Sequence, residues 1–175
     1  MKCELCGGKT KILKGQLWHY TESGLDNVYL RNVEVRACLS CEAKSPRIPR
    51  INDLHAVIGR AIALQKNPLS GGEARYLRKH LGLQAKEWAV LLRLPPETLS
   101  RWENGKQVIG PQSDSLIRAL YFLKLAEQGK CKIPDRAVEE LAAIVSERSE
   151  TLAVLVNVNN PSVYSYRPMA ELQAA

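Results

Sequence analysis

The chain has 175 residues, 45% of them hydrophobic and 25% charged, a composition that folds, with room for one ordinary domain or two small ones. No apolar run approaches the roughly eighteen residues of a membrane-spanning helix, and Met1-Lys2-Cys3-Glu4 has no signal-peptide core, so a cytoplasmic product is expected. The net charge of +7 is uneven: residues 1–134 carry 22 Lys/Arg against 12 Asp/Glu, residues 135–175 carry 3 against 6, and a basic body suits a polyanionic partner.

Four of the five cysteines form two CxxC pairs, Cys3/Cys6 and Cys38/Cys41, with 31 residues between them. Two intervening residues let both sulfurs of a pair reach one ion from a tight knuckle, and two knuckles complete a tetrahedral shell. In a reducing compartment the pattern favours zinc over disulfides, with a redox CxxC as the alternative. A closed four-thiolate shell leaves no open coordination position, so the zinc is structural. Between the pairs, Lys11–Thr21 and Val28–Arg36 read as strands. In the second, Val28, Leu30 and Asn32 point one way and Tyr29, Arg31, Val33 and Val35 the other, while Ser23–Asn27 makes a hairpin connection. His19 is expected at the surface.

Ser45-Pro46-Arg47-Ile48-Pro49 is extended by its prolines. Asn52-Asp53 is expected to cap a helix reaching Lys66, with Ile51, Leu54, Ile58, Ala61 and Ile62 on one face and His55 at its edge. Asn67-Pro68-Leu69-Ser70-Gly71-Gly72 reads as a linker. Residues 73–81 form the next helix, with Arg75, Arg78 and Lys79 outward and His80 packed or at the surface.

Trp88, Leu91 and Leu92 share one face of a short helix, which Leu94-Pro95-Pro96 breaks. Pro96 can open a second helix that keeps Leu99 and Trp102 inward. Glu97, Ser100 and Arg101 face out, and Asn104-Gly105 ends it. Helix, tight turn, helix with a polar outer face is the plan of a major-groove reader. Arg101 is the leading base reader, because its fork pairs with guanine O6 and N7 together; Thr98, Ser100 and Glu97 are secondary. Gln84, Lys86, Lys106 and Gln107 stand where phosphates would pass. Glu103 is expected to pair locally in support of the fold.

A helix capped by Ser113 or Asp114 runs to Gln128 with Leu116, Ile117, Leu120, Leu123 and Leu125 as its apolar face, part of it available to a second subunit. Cys131 reads as a buried apolar residue. Pro134–Arg148 is helical, and Thr151–Val158 with Val163–Tyr166 is either a hairpin or an edge strand that pairs with another chain.

The string T-L-S-R-W-E-N-G at 98–105, preceded by L-G-L and A-V-L-L, resembles the helix-turn-helix of the lambda-repressor (Cro/Xre) family over residues 72–128. Ala85 stands where that family has a phosphate-bracing Gln, and Arg93 where its turn has Gly. Over residues 1–128 the order M-K-C-x-x-C, C-x-x-C-E, R-K-x-L-x-L-x-x-K-E and S-R-x-E-x-G is similar to the MqsA (YgiT-type) antitoxins. That resemblance implies a zinc domain that neutralises a ribonuclease toxin and a helix-turn-helix dimer that represses its own operon. The family's groove-contacting arginine falls on Arg101. Its neighbouring Asn is Glu97 here, which can only accept, for instance from cytosine N4, so a different operator is implied.

The expected fold is α+β: a small β-rich four-cysteine zinc domain at 1–66, a linker at 67–72, an all-α lambda-repressor-like helix-turn-helix domain at 73–130, and a helix/strand extension at 131–175. The expected partners are double-stranded operator DNA, a toxin, a second copy of the chain and, through the tail, a chaperone. A stand-alone zinc-containing regulator without a toxin is the alternative. A Cys/His enzyme is remote, because four cysteines are committed and the three histidines are scattered.

Overall fold

The hairpin expected between the two cysteine pairs organises the molecule. In the computed structural model, which describes residues 2–130, 132, 137–144, 152–160, 164–169 and 172, β1 (Thr10–His19) runs antiparallel to β2 (Val28–Cys38). Simple alternation along β2 would send Val33 and Val35 to the side of Tyr29. Asn32 instead adopts φ 60°, and register shifts flank the pairing of Gln16 with Val33. The irregularity resets the alternation. Val28, Leu30, Val33 and Val35 therefore all enter the main core, and Tyr29 joins a small cluster with Ala153 and Leu155.

The other edge of β2 is shared. Its second half pairs with β3 (Lys44–Arg47), the extended proline-containing stretch. Its first half pairs with β4 (Leu152–Asn157), parallel and in the register Val28 to Val154 and Leu30 to Val156. β5 (Tyr164–Pro168) closes on β4 as an antiparallel partner, giving the order β1-β2-β4-β5. Of the two expectations for the C-terminal run, the hairpin forms, and it pairs with β2 of its own chain. Burial explains why: Ala153, Val154 and Val156 are fully enclosed.

Among the described residues, six helices lie between β3 and β4: α1 (Ile51–Leu64), α2 (Gly71–His80), α3 (Ala85–Leu91), α4 (Pro96–Glu103), α5 (Pro111–Glu127) and α6 (Ala137–Ala142). α1 starts differently from expectation. Its N-cap is Arg50 in the left-handed region, Asp53 sits 3.7 Å from the Arg50 guanidinium, and Ile51 is 48% exposed. Leu54, Ile58, Ala61 and Ile62 do face the core. On α5, Ile117 and Leu125 are buried beside Tyr121 and Phe122, whereas Leu116 and Leu123 are exposed. Cys131 and the outer ends of the helix expected at 134–148 lie outside the described residues. Among the described residues, no helix is long and apolar enough to cross a membrane.

The segment 67–72 is held from both sides. Leu69 and Asn67 are buried, and Ser70 caps α2 through a reciprocal capping box with Glu73. The Glu73 carboxylate also accepts from Asn27 at 3.0 Å and Gln65 at 2.9 Å, and Asn27 donates to Leu152 O. Arg118, fully enclosed, binds Asp114 and donates to Gln65 O and Asn67 O at 2.6 Å each. Asp114, expected as a helix cap, takes the Leu69 N–H at 2.5 Å instead. A buried charge persists where partners surround it, and between them these two hubs bond Asn67 O and the Leu69 and Ser70 N–H groups of the segment. One apolar core runs from β2 and β4 through α1 and α2 to Trp88, Leu99 and Trp102.

Candidate nucleic-acid interface and metal centre

Four sulfurs held about 2.3 Å from one zinc stand about 3.8 Å from each other. Cys3 and Cys41 Sγ are 3.7 Å apart and Cys6 and Cys38 Sγ 3.5 Å, and all four sulfurs lie within 4.8 Å of one another. The knuckles are shaped by backbone bonds. The Gly7 N–H donates to Cys3 O with Gly7 at φ 71°, and the Cys38 N–H donates to Ala43 O. The amides of Cys41 and Ser40 hold the Cys38 thiol down to about 6. Against the pull of the Ala43 amide, the Cys6, Cys38 and Cys3 sulfurs push that of Cys41 up to about 12, so without an ion the cluster keeps protons that a metal would displace. The donor set and spacing thus suit a four-coordinate ion. His19 is not among the ligands; its Nε2 lies 2.9 Å from Asp26 O.

In the second unit, α3 buries Trp88 completely and Leu92 nearly so, while Leu91, expected beside them, is 38% exposed. The intervening turn places Arg93 at φ 53°. Pro96 is the first residue of α4, which turns Leu99 and Trp102 inward. Its outer side presents Glu97, Ser100 and Arg101 to solvent, with Thr98 half-buried. Gln84 and Lys86 at the start of α3, and Lys106 and Gln107 after α4, are also exposed. Gln84 caps α3, its N–H donating to the Glu87 carboxylate at 2.7 Å.

The rear of α4 is clamped. Glu103 receives two bonds from the Arg78 guanidinium, both 2.7 Å. Arg78, expected outward, is only 8% exposed, and bonding to Glu103 makes it hold its proton more firmly than usual. Arg75 stands 3.4 Å from the same carboxylate and binds Asn104 Oδ1 at 2.7 Å. So α2 braces the C-terminal end of α4 by charge; Glu103, expected to pair locally, pairs instead with an arginine 25 positions away. Gly71 lets the two helices approach: a Cβ there would meet Trp102 O at 1.8 Å.

Residues 75–118 match the Helix-turn-helix (HTH_3) family model. The chain therefore carries a Cro/Xre-type helix-turn-helix, the domain of DNA-binding regulators, together with a four-cysteine cluster able to hold a metal ion. No curated protein and no solved structure compared with the chain matches it.

Sequence reasoning missed the two buried hubs and two sets of tyrosine–histidine hydrogen bonds. Tyr20 and Tyr76 hydroxyls each lie 3.0 Å from a nitrogen of His55, and the Tyr121 hydroxyl lies 2.8 Å from His80 Nδ1. The signals present were Ser70-x-x-Glu73, a capping box, and Asp114/Arg118 at i, i+4. Their burial had no local sign.

Proposed function

We propose that this protein is a sequence-specific repressor that binds the DNA upstream of its own gene as a homodimer, with structural zinc in the Cys3/Cys6/Cys38/Cys41 shell. The observation that carries this reading is the exposed polar side of α4, clamped from behind by Arg78–Glu103 and bearing Arg101 at its centre. In this reading Arg101 reads guanine, and Glu97, Ser100 and Thr98 contact neighbouring bases. Gln84, Lys86, Lys106 and Gln107 fix the register on phosphates. Leu116 and Leu123, exposed three to four residues either side of half-buried Leu120 on α5, supply the apolar stripe for the second copy, and paired half-sites about one helical turn apart follow.

The finer assignment is the antitoxin of a cytoplasmic toxin–antitoxin pair. Residues 1–66, whose sheet β4 and β5 extend, form the zinc unit that covers a ribonuclease toxin, and 73–130 the DNA unit after the 67–72 connection; within 131–175, partner or chaperone contact then falls to what lies outside the enclosed β4. It rests on the order of motifs shared with the MqsA-type antitoxins, and co-purification of the product of the adjacent reading frame tests it. The DNA reading is tested by titrating the upstream DNA with wild type and Arg101→Ala across a salt series, with random DNA as control. The substitution is expected to remove about 1–3 kcal/mol of discrimination. Equal, salt-sensitive binding of both proteins to any DNA would reduce the interface to a basic surface.

A further inference from the structure

A cavity of about 720 Å³ opens between α1, the end of α2, and α5, on residues that neither the metal centre nor the outer side of α4 uses. Its volume falls in the range of small-molecule pockets. The lining has two characters. Phe122 and Leu125, both nearly buried, supply an apolar wall. Around them, among the described residues, stand Arg60 from α1 and Lys130 and Lys132 from beyond α5, all exposed, against the carboxylate of Asp53.

His55 and His80 also line it. Both are held in place from behind, His55 by Tyr20 and Tyr76, His80 by Tyr121. Burial lowers the proton affinity of both, so neither adds charge to the cavity and its positive charge comes from Arg60, Lys130 and Lys132. Gly59 shapes this wall. A Cβ at that position would lie 2.1 Å from the Tyr121 hydroxyl, so only glycine lets Tyr121 approach α1 closely enough to orient His80.

We propose that this cavity binds a small organic anion, an apolar or aromatic body carrying one acidic group. The acidic group sits among Arg60, Lys130 and Lys132, and the body lies against Phe122 and Leu125. An isolated anion would leave the apolar wall in water; a neutral body would leave the excess positive charge unused. The site is independent of the DNA reading, so the two stand or fall separately.

The test uses 1-anilinonaphthalene-8-sulfonate, an aromatic body with one acidic group, titrated into the intact protein by fluorescence, with indole-3-acetate and AMP as competitors. One saturable site per chain is expected, displaced by at least one competitor. Arg60→Glu/Lys130→Glu should weaken it about tenfold or more, because like charges then face the sulfonate. Ala56→Trp, which fills the mouth from an exposed position on α1, should abolish it. Unchanged thermal unfolding of both variants establishes that they are folded. Absence of a saturable site on the folded protein overturns the proposal, as does affinity within about twofold of wild type in either variant.

Discussion

Arg93 occupies the left-handed region at the turn between α3 and α4, exposed to solvent, a conformation that strains any side chain with a Cβ. Arg93→Gly should relieve that strain and raise stability by about 0.5–1 kcal/mol, net of glycine's larger unfolded-state entropy; differential scanning calorimetry reads it as a higher Tm. The buried histidines give a second residue-scale expectation. Burial lowers the proton affinity of His55 and His80 in the folded state, and His55 and Lys130 lower that of His80 further. Below about pH 6.5 the unfolded chain then binds more protons than the folded one. Stability rises with pH through that window and levels off above it. Tm should therefore fall between about pH 7 and pH 5.5, and His80→Gln, which can still bond Tyr121, should flatten the slope.

Among elements, the approach of α2 to the end of α4 is the most exacting. Gly71→Ala would drive a methyl group against Trp102 O, and overpacking of this kind costs about 1–3 kcal/mol. The expected result is a lower Tm together with weaker operator binding, since the displaced clamp is the one that holds Glu103. Loss of DNA binding without loss of stability would disconnect the two. The elements themselves were largely legible in the sequence, each for a local reason: Pro95-Pro96 marks the turn, CxxC pairs mark knuckles, and Asn104-Gly105 marks a helix end. Non-local pairing decided what was not legible. Nothing near Asn32 announces that it resets the alternation of β2, and nothing near Leu152 announces Val28 as its neighbour in the sheet. The polar face of α4 was readable from spacing, but the two ends of its clamp, Arg78 and Glu103, lie 25 positions apart. The cavity between α1 and α5 had no signal at all, because its walls come from segments that are distant in the chain.

For the whole molecule, the four-cysteine cluster able to hold a metal ion sits at one end of a sheet that α1 and β4 hold independently. Stripping the metal with a chelator should therefore loosen the knuckles around Cys3–Gly8 and Cys38–Ala43. Amide-exchange protection at Val28–Leu30 and the helical circular dichroism should persist. Collapse of both signals together would make the metal essential to the entire fold. The sheet has one further property, and it concerns time. β2 receives its parallel neighbour only when residues near Val154 exist, some 126 positions later than Val28. At about 5–20 residues per second of synthesis, that interval is on the order of 6–25 s. Within it the helix-turn-helix segment is made while the Val28–Arg31 half of one edge of β2, beside the half that β3 covers, still has no partner. A nascent chain of this protein thus passes through a sticky, half-closed state whose lifetime is set by the ribosome, and the last strands to emerge end it.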